Sequence, residues 1–275
     1  MARVPAERSA RWGDLGLRVA SAAVLAPIAL VCIWYGGPAF VALVALAGVG
    51  LAVEWLQLCR YRPTTWPAWL LPVAVLGGSV LAPFDAFGPV IAALVVVGII
   101  LVAWPTPARG WLAAGVAYIA PAVLALLWLR ADPVVGRINL LFVLLLIWAT
   151  DVGAYLAGRL VGGPRLAPRV SPGKTWSGAV GGLVAAVGAA WATAASLHPP
   201  AAPLKLIILA VGLGVTAQAG DLLESLIKRY FGVKDSGHVI PGHGGLFDRL
   251  DALLAVAPLA AILALMAGRG VVLWE

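Results

Sequence analysis

The chain has 275 residues, of which 62% are hydrophobic and 11% charged, against roughly 25% charged and 45–50% apolar in soluble domains. A soluble core does not account for that excess, and the net charge of +7 does not indicate nucleic acid, because the bases are spread among loops rather than gathered on one soluble face. The apolar residues instead fall into stretches of about twenty, the length that crosses a hydrocarbon layer of about 30 Å as helix.

In chain order, spans are expected near 19–36, 39–59, 66–83, 87–104, 111–129, 139–158, 177–197, 204–226 and 251–268. The fold class is therefore an all-α polytopic membrane protein of about nine transmembrane helices, with no room for a separate soluble domain. The first eighteen residues are too long and too charged for a signal-peptide n-region, and the apolar run from Val19 reaches spanning length, so it reads as a retained helix. With the N-terminus cytoplasmic, fifteen Lys and Arg residues fall on the inside and only Arg130, Arg137, Lys205 and Arg269 on the outside. That asymmetry favours N-inside and, with an odd number of spans, C-outside.

Residues 1–130 read as an N-terminal region of about five spans and 131–275 as a catalytic transmembrane region with loops on the cytoplasmic face. Cys32 and Cys59 have no ligand-spaced neighbours and read as core residues. Within the first spans the acidic residue is Glu54, near the cytoplasmic end of its helix. It either snorkels or pairs with an arginine, or takes part in chemistry.

From residue 148 the character changes. Asp151, Asp221, Glu224, Asp235, Asp248 and Asp251 alternate with Lys174, Lys228, Arg229, Lys234 and Arg249, all at the cytoplasmic ends of the last four spans or in the loops joining them. In span six, Asp151 precedes a basic loop with Arg165, Arg169 and Ser171-Pro-Gly-Lys174-Thr175. Gly-Lys-Thr suggests a Walker A loop, but the glycine required five positions before Gly173 is Pro168, so that reading fails. A phosphate-binding loop or plain positive-inside charge remains, and Gly178, Gly181 and Gly182 otherwise read as close helix packing.

Span eight ends in Gly220-Asp221-Leu-Leu-Glu224-Ser225-Leu-Ile-Lys228-Arg229. Helical spacing puts Asp221, Ser225 and Lys228 on one stripe with Glu224 beside it, which fits either a snorkelling helix end or a reactive face. The next segment, Lys234 to Asp251, carries four glycines, a proline and two histidines interrupted by apolar residues, a structured loop rather than a solvated linker. Glycine lets backbone N–H groups approach an anion, and nearby Lys and Arg supply countercharge. Asp248 and Asp251, three apart, share a face of the last helix, and carboxylates beside such a loop suit Mg²⁺. His243 is compatible with a general base, a phosphate donor or a packing residue; a histidine zinc site is not supported, since no cysteine joins His238 and His243.

Ser225-Leu-Ile-Lys228-Arg229, Lys234-Asp-Ser-Gly237 and Pro241-Gly-His-Gly-Gly-x-x-Asp248-Arg249-x-Asp251 resemble the signature of the phosphatidate cytidylyltransferases, also called CDP-diacylglycerol synthases. Asp151-Val-Gly-Ala-Tyr155 and Ser171-Pro-Gly-Lys-Thr-Trp176 resemble an upstream block of the same family, departing from it at Val152 and Ser177. The resemblance implies transfer of CMP from CTP to phosphatidate, giving CDP-diacylglycerol and pyrophosphate, at the inner (cytoplasmic) membrane with the site facing the cytoplasm. The cofactor implied is Mg²⁺, with a second cation left open, and a homodimer is an open option. The site residues expected are Asp221, Ser225, Lys228, Asp248 and Asp251 for catalysis, with Asp221 and Asp248 as metal ligands. Ser171, Lys174, Arg229, Lys234, His243, Gly244, Gly245 and Arg249 are expected to bind phosphates. An ion transporter is the rival from another class, but matching broken helices in two repeated halves are not evident. The aspartate spacing of the CDP-alcohol phosphotransferases cannot be placed on the chain.

Overall fold

The computed structural model describes residues 23–61, 66–84, 86–197, 199, 202–237, 244–268 and 270–275. Its helices are α1 (Ala23–Tyr35), α2 (Gly37–Leu58), α3 (Leu70–Leu81), α4 (Phe87–Ala103), α5 (Arg109–Arg130), α6 (Val135–Leu160), α7 (Trp176–Leu197), α8 (Pro203–Tyr230) and α9 (Phe247–Ala267). Short 3₁₀ turns at Trp66–Trp69 and Ala82–Phe84 extend α3. Seven of these units are long and apolar enough to cross a membrane, while α1 and the 17-residue α4 are shorter apolar helices. The polytopic all-α architecture expected from the spans is therefore present, with seven full-length candidates among the described residues.

One element departs from it. The basic loop after α6 forms a hairpin, β1 (Arg165–Ala167) against β2 (Ser171–Thr175), antiparallel, closed by the Val170 N–H donating to the Ala167 carbonyl. Proline at 168, which cannot donate to a ladder, stands in the turn rather than in a strand. Thr175 then caps α7, its hydroxyl accepting the Gly178 N–H at 3.1 Å.

Helices α6 and α7 form the most extensive pair in the fold, and their glycines explain why. A Cβ on Gly181 would stand 2.1 Å from Ala157 Cβ, and one on Gly153 would stand 2.4 Å from Ala185 Cβ, so the backbones meet only because both side chains are missing. Another close approach joins α8 to α9, where a Cβ on Gly220 would lie 2.7 Å from Ala255 Cβ and 2.9 Å from the Asp251 carbonyl.

The two ends of the bundle differ. At one, Arg130 at the end of α5 donates to the carbonyls of Ile33 (2.7 Å) and Trp34 (3.1 Å), and Arg137 lies 4.3 Å over the Trp34 ring. The C-terminal segment folds back to this end, its Leu273 N–H donating to Asn139 at 3.0 Å and Trp274 packing on Phe142. At the other end, Arg60 donates to the Phe231 carbonyl (3.2 Å), Trp111 stacks against Tyr230 and Phe231, and Trp55 touches Phe247. The C-terminal ends of α2 and α8 and the N-terminal ends of α5 and α9 thus converge. Cys59 is buried beside this convergence, consistent with a packing residue.

An apolar cavity of about 790 Å³ runs between α4, α5 and α9, lined by residues such as Ile91, Val116, Pro121 and Pro258. It holds no titratable side chain and is separate from the charged end of α8.

Candidate active site

Helix α8 has 28 residues, about 42 Å of helix, well beyond a hydrocarbon thickness of about 30 Å. Its surplus turns carry the charged residues. Asp221 and Glu224 lie one turn apart, and the close approach at Gly220 brings Asp251 of α9 against them. Oxygen atoms of Asp221, Glu224 and Asp251 all lie within 4.8 Å of one another, with Glu224 buried and the other two half-buried. Asp151 on α6 is within Coulombic range of Asp221 and Asp251.

Two ammonium groups hold this cluster. Lys174 on β2 reaches Asp221 at 2.5 Å, so the hairpin is clasped to α8 through its lysine. Lys228 lies 2.7 Å from Glu224 on its own helix and 2.6 Å from Asp248 on α9. Among the described residues, Asp151, Asp221, Glu224, Asp248 and Asp251 thus lie about Lys174 and Lys228, five carboxylates about two ammoniums. At an effective dielectric of about 20, two carboxylates at such separations repel by about 3 kcal/mol. Three clustered oxygen donors with surplus negative charge are the donor set a hard divalent cation takes.

Asp248 stands apart from the trio. One of its oxygens accepts from Lys228, and the other accepts the N–H groups of Ser236 (3.1 Å) and Gly245 (3.0 Å). Ser236 and Gly245 therefore donate their backbone N–H groups to a protein carboxylate here. Gly244 has φ +81°, a backbone conformation that favours glycine, and a Cβ on Gly245 would collide with Ser236 Oγ at 1.9 Å. Both glycines allow two carboxylates, Asp248 and Glu54, to be wrapped by one turn of chain.

Glu54 neither snorkels nor pairs with an arginine among the described residues. It is fully buried and accepts the N–H groups of Leu246 (2.7 Å) and Phe247 (2.8 Å) and the Ser236 hydroxyl (3.2 Å). None of its hydrogen bonds among the described residues comes from Lys or Arg. A carboxylate from α2 caps the start of α9.

The remaining expected residues are placed as follows. Ser225 is half-buried on α8, one turn after Asp221, and Ser171 opens β2 opposite Ala167. Arg229 is exposed and donates to the carbonyls of Val170 and Val233, linking α8 to the hairpin turn. Lys234 and Arg249 are exposed at the same end. His243, with the rest of 238–243, lies outside the described residues. Ser177, a departure from the family pattern, donates to the Gly162 carbonyl and so ties α7 to the chain leaving α6.

The profile of the cytidylyltransferase family matches residues 16–267. The chain is 39% identical over 251 residues to a phosphatidate cytidylyltransferase of Brucella suis biovar 1 (strain 1330), covering 90% of this chain and 92% of that one. It is 36% identical over 266 residues to a protein of the same name from Pseudomonas aeruginosa, covering 92% and 98%, and 29% identical over 254 residues to one from Rickettsia bellii, covering 90% and 89%. With the match extending over nearly the whole length, this membrane-embedded nucleotidyltransferase belongs to the cytidylyltransferase family.

Proposed function

We propose that the chain transfers CMP from CTP to phosphatidate, releasing pyrophosphate and forming CDP-diacylglycerol, with Mg²⁺ at the carboxylate cluster and the site on the cytoplasmic face of the inner membrane. The observation that carries this reading is the grouping of Asp221, Glu224 and Asp251 within 4.8 Å at the charged end of a bundle of membrane-length helices. Relatives named phosphatidate cytidylyltransferase along nearly the full length supply the substrate pair.

In the proposed step a phosphate oxygen of the lipid attacks the α-phosphorus of CTP, and the bond from that phosphorus to the oxygen bridging to the β-phosphate breaks. Both reactants are polyanions, so the work of the site is charge neutralisation and in-line positioning. Mg²⁺ bound there supplies neutralisation of the triphosphate and stabilisation of the leaving pyrophosphate. Asp221, Glu224 and Asp251 would hold it; Asp248, the ligand expected from the sequence, joins them only if Lys228 releases its oxygen. Lys174 and Lys228 stand where phosphates arriving at the cluster exchange one anionic partner for another. Arg229, Lys234 and Arg249 extend the basic rim, and Ser171 opens the clasped hairpin strand. The fifteen-to-four distribution of Lys and Arg supports a cytoplasmic location for this end of the bundle, the side on which CTP is available.

The direct test is to incubate the purified protein with CTP labelled in the cytosine, phosphatidate and Mg²⁺. Label should pass into the lipid phase, and failure of any lipid acceptor to take it up would contradict the reading.

A further inference from the structure

The structure assigns to Glu54 a positioning role: this buried carboxylate of α2 holds Ser236 and the first turn of α9, and through them Asp248 and Asp251. The inference rests on the reading of the carboxylate cluster as the reaction centre, but its structural half stands without that reading.

A helix begins with N–H groups that have no partner in the helix itself, and these carry the positive end of its dipole. In α9 the usual local remedy is missing, because residue 246, at the cap position, is a leucine with no side-chain acceptor. Glu54 supplies the acceptor from another helix, taking the N–H groups of Leu246 and Phe247, 192 and 193 residues away in sequence. Its third bond, from the Ser236 hydroxyl, reaches the near side of the same loop. Ser236 and the Leu246–Phe247 backbone are thereby tied to one carboxylate, while Asp248 accepts the Ser236 and Gly245 N–H groups immediately alongside. A buried carboxylate without these donors would be strongly unfavourable, so the charge and the loop conformation require one another. Next to it, Trp55 is wedged among Trp111, Tyr118 and Phe247, its indole N–H donating to the Trp111 carbonyl at 2.7 Å, which leaves α2 little freedom to turn. The N-terminal helices are thus the anchor from which α9 presents its aspartates to α8. Glu54 is fully buried, so the role requires no contact between its carboxylate and either substrate.

The experiment uses hydrogen–deuterium exchange on the full-length protein in detergent, together with steady-state kinetics. In Glu54→Gln, one acceptor oxygen becomes an N–H₂ facing N–H donors. Amides 244–248 should then exchange at least about tenfold faster while peptides from α6 and α7 keep wild-type rates. The kcat should fall about tenfold or more with KM for CTP within about threefold of wild type. Ser236→Ala, which removes one bond and no charge, should speed the same amides about threefold, and combining it with Glu54→Gln should add nothing. Wild-type exchange at 244–248 in Glu54→Gln would overturn the assignment, as would faster exchange spread evenly over the whole bundle. Should Glu54→Gln not fold, Ser236→Ala decides alone: local acceleration supports the role and none refutes it. If wild type proves not to transfer CMP, the exchange result still reads the anchor, so failure of the two readings is distinguishable.

Discussion

Lys228 of α8 donates to Asp248 of α9 across 2.6 Å while also lying 2.7 Å from Glu224, so a single ammonium joins the two helices that carry the carboxylate cluster. Its side chain is 13% exposed and those of its partners 2% and 11%, so all three charges are largely withdrawn from water. Removing one member of such a buried group leaves the others uncompensated, at about 3–5 kcal/mol.

Lys228→Ala is therefore expected to lower thermal stability as well as activity. Adding Glu224→Gln to that variant should restore part of the stability and none of the activity. Thermal melts of the purified proteins check this, and an unchanged melting temperature in Lys228→Ala would show that the ammonium is not part of the helix junction.

Lys174 should behave differently. Its pair with Asp221 leaves 25% and 34% of the side chains exposed, more than any member of the Lys228 group, so less of the stability should rest on it. Lys174→Ala should melt like wild type while its KM for CTP rises about tenfold, roughly 1.4 kcal/mol of lost binding. Unaltered kinetics in that variant would leave Lys174 as a clasp for the hairpin and nothing more.

Much of this site is visible along the chain, because a helix turns i, i+3 and i+4 spacings into neighbours. Asp221, Glu224 and Lys228 share a face of α8 as their spacing requires. Spacing alone treats Asp248 and Asp251 as equivalent, and they are not: Asp251 meets Asp221 and Glu224, while Asp248 is occupied by Lys228 and two loop amides. The division depends on which helix lies on which side, and that is set by the close approach at Gly220. Glu54 was still less legible, since its partners are chiefly backbone N–H groups nearly two hundred residues away, and those have no side-chain signature. The hairpin read as a loop because its strands, Arg165–Ala167 and Ser171–Thr175, are too short and polar to show alternation.

Orientation gives a third expectation. In a variant with Cys32 and Cys59 replaced, single cysteines at the exposed positions Arg169 and Lys234 should react with membrane-impermeant thiol reagents from the cytoplasmic side only. A cysteine at exposed Val134, at the opposite end of the bundle, should react only from outside. Labelling of Arg169→Cys from outside would invert the topology that the charge distribution supports.

The most direct measurement of the central claim, that Asp221, Glu224 and Asp251 form the reaction centre, is the transfer of labelled CMP into lipid across a Mg²⁺ titration, compared among single carboxamide variants. Asp221→Asn and Asp251→Asn keep size and hydrogen bonding but lose a charge from the cluster, and each should reduce the rate at least about a hundredfold, about 2.7 kcal/mol of barrier. Residual activity should require more Mg²⁺ than wild type, with melting temperatures close to it. Asp248→Asn, which loosens Lys228 and the loop, should instead lose stability along with rate. Near-normal rates and an unchanged Mg²⁺ requirement in both Asp221→Asn and Asp251→Asn would contradict the account and move the metal away from the cluster.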